Sequence, residues 1–203
     1  MVRARTHELE ERNRELGELA IRDSLTGLYN HSASIELLDQ ILNQSQRYGF
    51  PVATLMIDID HFKRINDDHG HQVGDSVLES VAQALLDAVR SSDVVGRYGG
   101  EEFLIVMPHA DAPAAREFSE RLLRRIREIQ VPGGDGKHVT VSVGIAVCHP
   151  HGQYLGAAEA VERADTALYR SKRNGRDRLT VDSVSLVAES AAPERRELPS
   201  APA

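Results

Sequence analysis

This 203-residue chain has one cysteine, no tryptophan and an aromatic share of 4%. The lone Cys148 excludes an internal disulfide and a cysteine-based metal framework, so nothing points to an oxidising compartment. No apolar run approaches the ~18 residues of a membrane-spanning helix, and the charged N-terminus lacks the apolar stretch of a signal peptide. Basic side chains are outnumbered. With 24 Lys and Arg against 31 Asp and Glu, the net charge is −7, which argues against a nucleic-acid polymer held by bulk charge. The expectation is a soluble, cytoplasmic chain with no membrane segment, in which local basic sites remain open.

The hydrophobic share of 41% suffices for a core, and the length suits one domain with a small appendage. Residues 1–22 carry five Arg, five Glu and a thin line of Leu9, Leu16 and Leu19, which predicts a linker helix. The Leu spacing fits heptad a and d positions for about one and a half heptads, with Arg12 at the intervening d site. Two readings stay open: a solvated lead-in, or the end of a dimerising signalling helix. Residues 184–203 are rich in Ala, Ser, Pro and Glu, have no sustained period, and read as a disordered tail. Residues 23–183 must hold the fold.

Within that block, residues 51–59 are a continuous apolar run of the kind that forms a buried central strand. Helical spacing marks 34–46, 74–90, 113–129 and 155–173, with Asp111 as an N-cap and Pro113 tolerated in the first turn. Residues 94–97 and 103–107 flank a Gly-Gly pair as two strands of a hairpin; 139–148 and 178–181 read as further strands. This order describes an α/β domain with a mixed central sheet flanked by helices.

Two acidic clusters carry the chemistry. Asp58 and Asp60 close the apolar strand, and Glu101 and Glu102 lie in the turn Arg97-Tyr-Gly-Gly-Glu-Glu-Phe103. A buried carboxylate is destabilising unless something positive neutralises it. Several carboxylate oxygens at one point make a hard-cation site of the magnesium type, with positions open to substrate phosphates. Gly99 and Gly100 suit a turn at positive φ that brings backbone close to a ligand, although Gly-Gly also serves ordinary hairpins. The stretch after Asp60 reads as a loop bearing Phe62, Lys63, Asn66, His71 and Asp75. Asn66 both donates and accepts, and Asp75 accepts, which suits a guanine edge; Asp75 serves equally as an N-cap for the next helix. Lys172 and Arg176 close an Ala-rich helix, where the dipole favours them and where they could also meet a triphosphate.

Six motifs in order resemble the GGDEF family of diguanylate cyclases: Asp23-Ser-Leu-Thr-Gly-Leu-Tyr-Asn30; Ile57-Asp-Ile-Asp-His-Phe-Lys63 through Asn66-Asp67; Gly70-His-Gln-Val-Gly-Asp75; the signature 97–103; Val141-Ser-Val-Gly-Ile145; and Ala167 to Arg176. The resemblance covers nearly all of 23–183. It implies a palm-like nucleotide cyclase fold with the signature on a β-hairpin. It also implies the condensation of two GTP into cyclic di-3′,5′-GMP and two pyrophosphates, with two Mg2+ or Mn2+ per active site. Asp58, Glu102 and the Ile59 carbonyl would bind metal, with Glu101 a further ligand and candidate base; which Glu does which stays open. Asn66 and Asp75 would read guanine and His71 would lie beside the substrate. Phe62, Lys63, Lys172 and Arg176 would approach the phosphates. Each half-site holds one GTP, so the resemblance implies a catalytic homodimer.

Arg90-Ser-Ser-Asp93 stands in the register of the family's Arg-x-x-Asp inhibitory motif, which implies product feedback, with Arg121 a further candidate. The family's usual Arg pair after Asn30 is replaced by His31 and Ser32, and Glu101 stands where the family name has Asp. Cys148-His-Pro-His151 reads as an exposed loop, and His7, His69, His109 and His138 as surface. The alternative is a catalytically silent module that binds cyclic di-GMP or GTP as a sensor or scaffold. A palm polymerase or adenylate cyclase would need a different base-reading loop from Asn66 and Asp75. No sensory domain is read within this sequence, and whether one precedes it on the N-terminal side stays open.

Overall fold

The structure, a computed structural model, describes residues 21–150, 156–182 and 185. The linker helix expected over 1–22 therefore lies almost wholly outside the described residues, as does the expected tail apart from Ser185. The elements run α1 (His31–Tyr48), β1 (Val52–Ile59), α2 (Phe62–His69), α3 (His71–Ala88), β2 (Val94–Arg97), β3 (Glu102–Pro108), α4 (Ala112–Ile126), β4 (Val141–Cys148), α5 (Ala157–Arg173) and β5 (Leu179–Val181).

Local chemistry sets several boundaries. The Asn30 side chain accepts from Ala33 N–H to start α1, and Gly49, in the left-handed region at φ 76°, ends it. Asp111 caps α4 by accepting from Ala114 N–H. The run read as a strand is β1, buried at all eight positions, and β4 is likewise fully buried. Burial on both faces fits their place in the sheet order β2-β3-β1-β4-β5, where β1 pairs antiparallel with β3 and β4, and β5 joins β4 in parallel.

Alternation along β1 divides the core. Leu55 and Ile57 face a cluster with Val81, Leu85, Phe118 and Leu122 of α3 and α4, and Met56 faces Leu38, Ala164 and Leu168 of α1 and α5. Helix α5 lies so close to β4 that a Cβ on Gly144 would meet the Ala164 carbonyl at 2.1 Å. That contact sets where the C-terminal end of α5 arrives.

Three local expectations need correction. The stretch after Asp60 is not a loop: residues 62–69 form α2, and α3 begins at His71 rather than 74. Gly70 is the N-cap of α3, so Asp75 stands inside that helix and is not its cap. Cys148 is the buried last residue of β4, and burial pushes its thiol up to about 11. Ser185, beyond the expected end of the block, is buried; its hydroxyl accepts from Val147 N–H at 2.8 Å and from Arg163 at 3.0 Å.

Candidate active site

The sheet brings both acidic clusters to one place. Asp58 lies directly opposite Glu102 on β3 and Ser142 on β4, and Ile59 N–H donates to the Glu101 carbonyl at 3.2 Å. The hairpin closes through Tyr98 and Gly99 N–H groups, which donate to the Glu102 carbonyl at 2.8 and 3.2 Å. Arg97 braces the turn from outside. Its guanidinium donates to the Gly100 carbonyl at 2.7 Å and to the Asp23 carboxylate at 3.2 Å, 74 residues away. Burial raises the Asp23 carboxyl, but bonds from Thr26 and Arg97 outweigh it and hold the group below the ordinary range.

Neither Gly99 nor Gly100 adopts positive φ, contrary to the reason expected for them. What Gly99 provides is space: a Cβ there would stand 2.4 Å from Glu102 Oε2. A Cβ on Gly100 would meet nothing within 4 Å, so the hairpin tip is open above that residue.

The three carboxylates are under electrostatic stress. Burial pushes Asp58 up, and the neighbouring Asp60 charge adds to the rise. Lys172, with Nζ 2.7 Å from Asp58 Oδ2, and Arg176 offset only part of it. Glu101 is raised by burial, then by Asp58 and Glu102; Glu102 by burial, then by Asp58 and Asp165; Lys172 opposes both. One ammonium among three acids leaves cation demand unmet. Among the described residues no group of three or more His, Cys, Asp or Glu is, as its side chains stand, arranged to hold a metal ion, and it is Lys172 that holds Asp58. The donor set of clustered, raised carboxylates beside an open hairpin tip fits a hard divalent cation.

Asp60, two residues on, differs. Its Oδ1 accepts from Ser142 Oγ at 2.7 Å, and its Oδ2 accepts from Thr140 Oγ1 at 2.8 Å and Asp177 N–H at 3.0 Å. It ties β1, β4 and the turn after α5 together.

The residues expected to read a base gather where α2 meets α3. Asn66 Oδ1 is buried without a hydrogen-bond partner, tucked where a Cβ on Gly74 would meet it at 1.9 Å. Phe62 is buried beside it, its Cζ 3.3 Å from that same Cβ position, while Lys63, His71 and Asp75 are exposed. Beside Glu102 a cavity of about 520 Å³ opens between α1, the hairpin and α5, with Glu162 and Asp165 on its wall. There His31, one of the two departures after Asn30, packs its ring on Tyr98 with centroids 4.5 Å apart.

The residues of the second expected site lie just past the end of α3 and on α4. The Asp93 carboxylate accepts from the Arg90 backbone N–H at 2.9 Å, and Arg90 is exposed. Arg121 pairs with Glu117 at 2.9 Å on α4, beside a cavity of about 290 Å³ between α3 and α4. Sequence reasoning missed the Asp23–Arg97 brace and the Asp60 tether, whose partners lie 74 to 117 residues away in the chain and leave no local signal.

Comparison with known proteins places this geometry. The family model described as "Diguanylate cyclase, GGDEF domain" matches residues 20–178. Diguanylate cyclase DgcP of Pseudomonas aeruginosa is 44% identical over 164 residues, covering 80% of this chain and 24% of that protein. Diguanylate cyclase A of Treponema denticola is 38% identical over 177 residues, covering 86% and 47%. The chain thus spans less than half the length of these curated relatives. Among solved structures, the coiled coil and GGDEF domain of DgcB from Caulobacter crescentus in complex with c-di-GMP is similar at a TM-score of 0.82 and 32% identity, covering 89% of this chain and 95% of that one. Diguanylate cyclase SiaD from Pseudomonas aeruginosa, in complex with its activator SiaC, matches at 0.76 and 36% identity, covering 89% and 68%. Among the described residues no helix is long and apolar enough to cross a membrane.

Proposed function

Because this chain belongs to the GGDEF domain family, we propose that it condenses two GTP into cyclic di-3′,5′-GMP and two pyrophosphates in the cytoplasm. The observation that carries this reading is the cross-strand pair Asp58 and Glu102 with Glu101 beside them, all raised in pKa and countered chiefly by Lys172. Asp58, Glu102, Glu101 and the Ile59 carbonyl would hold two Mg2+ or Mn2+, which when bound acidify the 3′-hydroxyl and neutralise charge at the α-phosphate.

The chain's own groups do the rest. Lys172 opposes the rise at Asp58; with Lys63 and Arg176 it supplies positive charge to the triphosphate. Glu101, its carboxyl raised by burial and by the Asp58 and Glu102 charges, takes the proton from the 3′-hydroxyl at its carboxylate oxygen. The Asn66 Oδ1, lacking a partner in the fold, accepts from a guanine N–H, and Asp75 accepts from a second. His71 and Phe62 border the substrate. Gly99 and Gly100 leave the hairpin tip bare, so that the nucleotide lies over backbone. One such face holds one GTP; its 3′-hydroxyl reaches the other α-phosphate only when two copies face each other, which makes the working form a homodimer.

Arg90 and Asp93, helped by Arg121, take the product as a feedback inhibitor, and the nucleotide-bound DgcB structure supports a nucleotide partner for such a domain. Input comes through the N-terminal side or a protein activator, as SiaC serves SiaD.

Purified protein with GTP and Mg2+ tests the reading. Cyclic di-GMP and pyrophosphate should form, and Glu102→Ala should abolish both. A wild type that makes neither, or a variant that matches it, contradicts the cyclase assignment and leaves a binding module. Arg90→Ala should relieve product inhibition and spare turnover at low product; an unchanged inhibition curve removes the feedback site.

A further inference from the structure

The turn after α5 is held in an unfavourable shape. Arg176 and Asp177 are consecutive non-glycine residues in the left-handed region, at φ 59° and 47°. Asp tolerates that region better than most residues, whereas Arg, like other side-chain-bearing residues, is disfavoured there. Such a conformation persists where surrounding bonds over-determine it, and here they do. Arg127, at the C-terminal end of α4, donates from Nε to both Asp177 carboxylate oxygens at 2.9 Å and from Nη2 to the Asp177 carbonyl at 3.2 Å. From the other side Asp177 N–H donates to Asp60 Oδ2 at 3.0 Å. The Arg176 N–H donates to the Ser171 carbonyl at 3.1 Å, and the Arg176 carbonyl accepts from Arg178 Nε at 2.9 Å.

The turn is thus pinned at both of its strained residues, between helix α4 and the end of the strand that carries Asp58. What it presents is the half-buried Arg176 side chain, close enough for its charge to act on Asp58. We propose that Arg127, Asp177 and Asp60 form a positioning clamp that sets the aim of Arg176 at the substrate phosphates. This rests on the reading of Arg176 as a phosphate-binding residue. None of the three clamp residues touches substrate; they act through the backbone of the turn. The clamp also accounts for why Asp60, buried beside Asp58, has both carboxylate oxygens taken up by donors of the fold.

Arg127→Met tests the clamp without opening the core, because the Arg127 side chain is 43% exposed. Its probes are GTP turnover and calorimetric affinity for a GTP analogue with a methylene α,β bridge, each measured in wild-type and Arg176→Ala backgrounds. The clamp predicts that Arg127→Met weakens analogue binding and raises KM about fivefold with kcat within about twofold, and that the effect vanishes when Arg176 is already Ala. Arg127→Lys should recover part of the loss. An Arg127→Met effect of equal size in both backgrounds, or none in either, overturns the clamp while the wild type still turns over GTP. A wild type that binds no analogue and forms no cyclic dinucleotide overturns the cyclase reading and the clamp with it.

Discussion

Asp58 and Asp60 stand two residues apart at the end of β1, each with 5% of its surface exposed, and the fold treats them in opposite ways. Asp60 receives three donors, from Ser142, Thr140 and the Asp177 backbone, which give both of its carboxylate oxygens partners within the protein. Asp58 receives one, Lys172, and faces Glu102 across the sheet with Glu101 nearby, so its carboxyl is raised by burial and by like charge. Burial alone therefore does not identify a functional carboxylate; what separates the two is whether the fold itself supplies the compensating donors. The same contrast holds further out. Asp23 is bonded by Thr26 and Arg97 and lowered, whereas Glu101 and Glu102 are raised by burial and by neighbours of their own sign.

The sharpest way to break this comparison is to neutralise each Asp in turn. Asp58→Asn should reduce cyclic di-GMP formation at least about a hundredfold, the scale on which an electrostatic group at a reacting centre acts, and leave the thermal midpoint unchanged or higher at pH 8. Asp60→Asn should do the reverse in stability, costing roughly 2–3 kcal/mol because buried donors lose an ionised acceptor. Equal stability losses in the two variants would erase the distinction. Gly99→Ala comes next. Its Cβ displaces the Glu102 carboxylate, the end of a flexible side chain, so activity should drop about tenfold with a small change in midpoint, read from steady-state assay and melting together.

Smaller effects follow from titration. Lys172→Met leaves Asp58 without its counter-ion and should cost about 1–3 kcal/mol at pH 8, with much of the loss recovered at acid pH where Asp58 is protonated. A pH-independent loss would mean that Lys172 contributes packing alone. For Glu101 the folded carboxyl is raised, so the folded state binds the proton more tightly than the unfolded chain does. Stability therefore falls as pH rises from the ordinary glutamate range through the folded value. Glu101→Gln should raise the midpoint above that window and change it little below it. Asp23 is the opposite case: lowered in the fold, it contributes stability above its unfolded value that is lost as pH falls through the folded one, a loss that Arg97→Met should reduce but not abolish, because Thr26 still donates twice to the same carboxylate.

How much of this could be read from the chain follows from what each feature depends on. The central strand, the Asp111 cap and the signature hairpin are local patterns, and the structure bears them out. Helix α2 was hidden because only Phe62 is buried along it and its N-cap, His61, makes no side-chain capping bond. Missing α2 also misplaced Asp75, which a helix beginning at 74 had made a capping candidate. At Gly99 the residue was marked but the reason was not, since the clash with Glu102 exists only once the hairpin folds back. Asp60 looked like a second member of an acidic cluster because Thr140, Ser142 and Asp177 reach it from 80 to 117 residues away.

The central claim is that the fold leaves Asp58, Glu101 and Glu102 short of positive charge so that divalent cations can supply it. Thermal unfolding at pH 8 with and without Mn2+, for wild type and Glu102→Gln side by side, tests it directly. The account predicts that Mn2+ raises the midpoint of the wild type and leaves that of Glu102→Gln nearly unmoved. An equal shift in both, or none in the wild type, would contradict it.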